Sequence, residues 1–153
     1  MNYDEKLKEL NINLPEAKAP VGNYVAAKVS GNMLFISGQI SIDENGQLIK
    51  GKVGKDLDTE AGYNAAKRCA LSIVAQVKKA CDNDLSKVKS CIKLTGFVNS
   101  TKDFVEQPKV INGASDLIAS IFGDAGMHTR AAVSTNSLPL DVSVEVDAIF
   151  ELK

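Results

Sequence analysis

Between Asp58 and Asp82, Ala61, Ala65, Cys69, Ile73, Val77 and Ala80 fall near helical spacing, with Ala66, Ala70, Val74 and Cys81 beside them. A stripe this wide predicts a helix with a broad buried face, and its small side chains suit close packing on a sheet. Asp58 or Thr59 starts the helix. A second helix is predicted from about Glu106 to Phe122, with Pro108 in its first turn and Gly123 as its stop. Val110, Ala114, Leu117, Ile118 and Ile121 line its apolar side.

Strand patterns surround these helices. Tyr24 to Val29 and Met33 to Ile40 read as two strands joined at Ser30-Gly31-Asn32. Gln47 to Ile49 offers a further short strand after the turn at Asp43-Gly46, and Gly51 and Gly54 mark a loop. From Val88 to Val98 the chain alternates. Val88, Ser90, Ile92, Leu94, Gly96 and Val98 are expected on one side, with Lys87, Lys89, Cys91, Lys93, Thr95 and Phe97 on the other. Arg130 to Ser134 and Val142 to Leu152 complete the set, read as a hairpin across Leu138-Pro139-Leu140. Asp4 to Leu10 reads as a short helix or an arm. The order β-β-α-β-α-β-β predicts an α+β fold, a single mixed β-sheet with two helices on one face. The opposite face then needs cover, which a homo-oligomer supplies. With 153 residues and no repeat or linker, residues 1–153 are read as one domain.

Charge and cysteine content narrow the function. A formal net charge of −1 gives no overall attraction for nucleic acid. Lys87, Lys89 and Lys93 form a small basic face, but without arginines or interleaved aromatics they read as a solvated strand face. Cys69, Cys81 and Cys91 are odd in number and widely spaced, which fits a reduced, cytoplasmic protein. Cys69 and Cys81 fall on the helix stripe as core residues, whereas Cys91 is expected on the lysine face. One histidine, His128, cannot build a zinc site with three scattered cysteines, so no metal is expected. Neither a signal peptide nor a membrane span is legible.

Sixteen of the 18 basic residues are lysines; the arginines are Arg68 and Arg130. A guanidinium binds a carboxylate through two parallel hydrogen bonds, and lysine cannot copy that geometry. Arg130 stands at the mouth of a strand in Gly126-Met127-His128-Thr129-Arg130-Ala131-Ala132-Val133, and the hairpin reading places Glu145 on the neighbouring antiparallel strand. From these residues alone, a structural salt bridge outweighs a functional pair. His128 is either a proton carrier in the same cleft or, the favoured reading, a loop residue touching solvent.

Gly22-Asn23-Tyr24-Val25, the block from Gly31 to Ile40 containing Ser37-Gly38-Gln39-Ile40, the arginine strand, and Leu138-Pro139 leading to Val144-Glu145-Val146-Asp147-Ala148 occur in an order and spacing that resembles the YjgF/Rid superfamily. These are the reactive intermediate imine/enamine deaminases, formerly endoribonuclease L-PSP. The resemblance spans nearly the whole chain. It implies a chorismate-mutase-like fold, a homotrimer with clefts between subunits, and cofactor-free hydrolysis of enamines and imines to 2-oxo acids and ammonia. Carried over by position, Arg130 grips the substrate carboxylate and Glu145 is an acid near a water. Gly38 makes a backbone contact, Tyr24 forms a wall, and Asn112 is a further match one residue out of the usual spacing. Many deaminating members have a cysteine where this chain has Ala132, which retains only a backbone N–H for the carboxylate. Ser41 replaces the usual proline after the Gly-x-Ile segment, and Gly-Asn-Tyr stands for Gly-Pro-Tyr. The partner is thus expected to be a small carboxylate, with neither membrane nor nucleic acid. Two alternatives stay open: a non-catalytic trimer that binds 2-oxo acids and, more weakly supported, an endoribonuclease or translation inhibitor.

Overall fold

The computed structural model describes residues 2–153; Met1, and with it the first residue of the expected 1–153 domain, lies outside the described residues. Helix α1 (Tyr3–Glu9) begins at Asn2, whose side chain accepts hydrogen bonds from the Asp4 and Glu5 amides. Helix α2 (Thr59–Ala80) starts at Asp58, which caps the Ala61 amide at 2.8 Å. It ends where Asp82 and Asn83 take left-handed backbone angles. Helix α3 (Gln107–Phe122) has Pro108 in its first turn and stops at Gly123, φ 61°.

The five strands are β1 (Ala27–Ser30), β2 (Met33–Ile40), β3 (Val88–Asn99), β4 (Thr129–Thr135) and β5 (Val144–Leu152). They form one sheet in the order β1-β2-β5-β3-β4. All neighbours are antiparallel except β3 and β4, which run parallel. Helices α2 and α3 cover one face. Leu34, Ile36, Leu94, Val98, Val144, Val146, Ala148 and Phe150 point into that layer and meet Ala65, Ala66, Cys69, Ala70, Ile73, Val74 and Val77 of α2. Tyr3 of α1 joins through Phe122, whose ring lies 4.8 Å edge-on to Tyr3 and 5.7 Å from Phe150. The opposite sheet face carries Phe35 and Val133, which are 44% and 45% exposed.

Four local expectations need correction. The last two strands are not a hairpin: α3 connects β3 to β4 as a crossover, which places β4 parallel beside β3. Strand β5 instead occupies the slot between β2 and β3. Strand β1 starts at Ala27, not Tyr24: its ladder with β2 ends at the Ala27–Ile36 pair, where β2 also shifts register against β5 between Ile36 and Gln39. There Ser37 takes over, with its amide on the Ala26 carbonyl and its hydroxyl on the Val25 carbonyl at 2.7 Å. Residues Gln47 to Ile49 make an isolated bridge, Ile42 to Leu48, but no strand. Finally, Cys91 is buried, not on the lysine face. Register shifts on either side of it, between Val88 and Ser90 and between Cys91 and Lys93, break the simple alternation at this end of β3.

Candidate functional site

Arg130 is the second residue of β4 and lies opposite Leu94 of β3, whose side chain is fully buried under the helices. Its side chain therefore rises on the helix side of the sheet and reaches α3. Nη1 donates to Asn112 Oδ1 at 2.8 Å and to Ser115 Oγ at 3.1 Å, and Nη2 donates to the Pro108 carbonyl at 3.4 Å. Asn112 and Ser115 share a face of α3 because they are three residues apart, with Pro108 one turn earlier. All three acceptors are neutral. Arg130 forms none of the ion pairs found among the described residues. A guanidinium has five N–H groups, so among the described residues the one on Nε and one of the two on Nη2 have no acceptor. The cation is held in place but not neutralised, which is the arrangement a carboxylate or phosphate would complete.

His128 extends this cluster. It lies in the loop before β4 and is part-exposed, as the loop reading expects, but both of its ring nitrogens are engaged. Nε2 lies 2.9 Å from Ser115 Oγ and Nδ1 lies 2.6 Å from the Gly126 carbonyl. Ser115 was not singled out in the sequence. Its signal was available, because a helix carrying Asn112 into the site carries residue 115 on the same face.

Glu145 is elsewhere. Strand β3 separates β4 from β5, so two interstrand spacings, about 10 Å, lie between them. Glu145 is also opposite Phe97 on the helix-free face, whereas Arg130 is on the helix face. Within one chain the two do not meet, which removes both the expected neighbouring-strand contact and the structural salt bridge. Glu145 instead sits against Gly38: a Cβ there would overlap the Glu145 carboxylate, so glycine opens the space it occupies. Burial, then the nearby Asp147 charge, raises the Glu145 pKa above the usual carboxylate range. Burial raises that of Asp147 as well, opposed by its bonds to Thr95 and by Lys93. Tyr24 is more than half exposed before β1, where it lines an open groove of about 470 Å³ with Lys18, Gln76 and Lys79. Ala132 lies beside Gly96 in β4 and packs on the core.

Six sequence-derived site residues thus fall in three places. Arg130, Asn112 and Ala132 belong to the β4 edge. Glu145 and Gly38 lie together on the open face of β5 and β2, and Tyr24 flanks the β1 edge.

The cysteines are poor nucleophiles. Cys69 is fully buried and its thiol, which donates to the Val144 carbonyl at 3.4 Å, is pushed far up by burial. Burial pushes Cys91 up to about 12 and raises Cys81. Of the three basic-face lysines, Lys87 pairs with Asp82 at 2.8 Å and Lys89 with Glu151 at 3.1 Å. No helix among the described residues is long and apolar enough to cross a membrane.

Comparison with known proteins adds a family context. Residues 4–152 match the family described as "YjgF/chorismate mutase-like, putative endoribonuclease". Protein TCP17 of Trypanosoma cruzi is 46% identical over 147 residues, covering 95% of this chain and 91% of that protein. The crystal structure of a protein of unknown function from Agrobacterium tumefaciens is 48% identical with a TM-score of 0.91, covering 99% of this chain and 92% of the other. That of a "putative endoribonuclease" from Shewanella oneidensis is 34% identical with a TM-score of 0.94, over 99% of this chain and all (100%) of the other.

Proposed function

Since the chain belongs to the YjgF/Rid superfamily, we propose that it hydrolyses reactive enamines and imines to 2-oxo acids and ammonia. Arg130 holds the substrate carboxylate in a cleft between copies of a homotrimer, and no cofactor takes part. One observation carries this reading: the Arg130 guanidinium is fixed by three neutral acceptors and keeps two N–H donors with no acceptor among the described residues. The separation of these site residues supports the cleft. Tyr24 flanks one sheet edge and Arg130 lies on the other, so a second copy can bring them together where one copy cannot.

The chemistry asks little of the protein. Protonation of the imine nitrogen makes its carbon electrophilic. Water adds to that carbon, the nitrogen gains a proton, and ammonia leaves as the C=O bond forms. Fixing the carboxylate sets the imine carbon against the water, and such orientation is worth several kcal/mol of barrier. Glu145 of the partner subunit, since one chain does not bring its own Glu145 to Arg130, has a raised pKa that suits it to taking the water's proton and returning it to nitrogen. Ala132, in place of the cysteine common among deaminating relatives, favours a second reading in which the same grip binds 2-oxo acids without turnover. RNA cleavage is less well supported, because Lys87 and Lys89 are already paired with acids.

The test is a coupled assay. A pyridoxal-phosphate dehydratase generates 2-aminoacrylate or its four-carbon homologue, and 2-oxo acid release is followed with wild type and Arg130→Ala. The proposal predicts acceleration by wild type that disappears in a folded, trimeric Arg130→Ala. No acceleration by wild type would favour binding without turnover, and acceleration surviving in the variant would refute the role of Arg130.

A further inference from the structure

We propose that His128 is a positioning residue that acts through Ser115 to hold the Arg130 guanidinium ready for a carboxylate. The inference rests on the carboxylate-binding reading of Arg130 and adds two residues to it. Hydrogen-bond direction carries the argument. The Gly126 carbonyl can only accept, so His128 Nδ1, 2.6 Å away, carries the hydrogen. In the neutral ring Nε2 is then an acceptor, and the hydroxyl of Ser115, 2.9 Å away, donates to it. With its hydrogen spent there, Ser115 Oγ presents lone pairs to Arg130 Nη1 at 3.1 Å. The chain runs one way, from Arg130 to Ser115 to His128 to the Gly126 carbonyl.

Without His128, Ser115 has an alternative. A serine within a helix turns its hydroxyl onto the carbonyl one turn earlier, which here is that of Ile111. The oxygen would then be less well aimed at Arg130, leaving exposed Asn112 as the only side-chain partner of Nη1. The end of the chain is anchored to the same helix that carries Asn112 and Ser115. Gly126 is buried so tightly against α3 that a Cβ would lie 2.6 Å from the Ile118 carbonyl oxygen. His128 and Arg130, two residues apart at the start of an extended strand, project to the same side. The histidine therefore gives α3 and β4 a common reference from which the guanidinium is aimed.

Calorimetric titration with 2-oxobutyrate tests this without requiring turnover, with KM and kcat as a second readout. His128→Ala and Ser115→Ala are each expected to weaken binding about tenfold, the size of one lost hydrogen bond to a charged group. The double variant is expected to lose no more than either single one. His128→Gln, which keeps an acceptor near the position of Nε2, is expected to restore most of the affinity. In turnover, kcat/KM falls by at least the factor lost in binding, because a less well aimed carboxylate also sets the imine carbon less well against the water. Ser115→Ala favours the helix and provides the test should His128→Ala fold poorly. Binding unchanged in Ser115→Ala while Arg130→Ala abolishes it would overturn the positioning role and leave the carboxylate reading intact. Binding that survives Arg130→Ala would overturn that reading itself. Turnover unchanged in both alanine variants, or no rescue by glutamine, would also refute positioning.

Discussion

Gly113→Ala reports on the close helix contact that frames the site. In an exposed helix this change stabilises by up to about 1 kcal/mol, because alanine is the better helix former. Here the new Cβ would overlap the Tyr63 carbonyl oxygen of α2. It would also lie 2.8 Å from the carbonyl carbon and 3.1 Å from the Lys67 nitrogen, where real Cβ contacts hardly ever fall below 3.0 Å. Every obstacle is backbone, so no side chain can turn aside and the two helices must part. Overpacking costs about 1–3 kcal/mol, and a backbone obstacle places this case at the upper end. Subtracting the propensity gain leaves a net loss of about 2 kcal/mol, or roughly 4–8 °C in Tm for a chain of this size. Urea unfolding followed by circular dichroism at one fixed protein concentration measures it. Ser120→Ala, on the exposed side of α3, controls for propensity. A Gly113→Ala protein as stable as wild type would refute the close helix contact.

Three further outcomes follow from the site. Gly38→Ala crowds the flexible end of Glu145 and not backbone, so activity is expected to fall more than tenfold with under about 1 kcal/mol lost in stability; the deaminase assay and urea midpoints check both. Glu145 has a raised folded pKa, so the folded state binds its proton more tightly than the unfolded state does. Its contribution is favourable below the unfolded carboxylate pKa and is lost as pH rises through the folded value. Glu145→Gln is thus expected to be more stable than wild type at pH 7 and to flatten the decline above pH 4 in a urea series. All three thiols are buried with raised pKa values, so native protein at pH 8 is expected to react far more slowly with a thiol reagent than urea-unfolded protein, which yields three equivalents.

How much of this was legible in the sequence depended on the range of the signal. Helices α2 and α3 and strand β5 announce themselves through periodic burial over nine residues or more. Pairing was not legible in the same way. Strand β4 follows a helix and precedes a short link, and only the packed layer decides that it joins β3 while β5 fills the central slot. Simple alternation puts Cys91 on the wrong face because bulges interrupt a period of two, and nothing local marks them. Arg130 stood out as one of two arginines among sixteen lysines. Ser115 did not, because a single serine in a helix carries no signal until the direction of its face is known.

The same scarcity of arginine makes the central claim directly measurable. In a nitrogen-15 spectrum the arginine Nε–H groups give two resonances, one from Arg68 and one from Arg130, assigned with Arg68→Lys. The Arg68 Nε already donates to the Ile42 carbonyl at 2.9 Å and serves as the internal reference. Titration with 2-oxobutyrate is predicted to move the Arg130 resonance downfield and saturably as its unused donors take the carboxylate, leaving Arg68 still. An Arg130 resonance that does not respond while the ligand binds elsewhere would contradict the account.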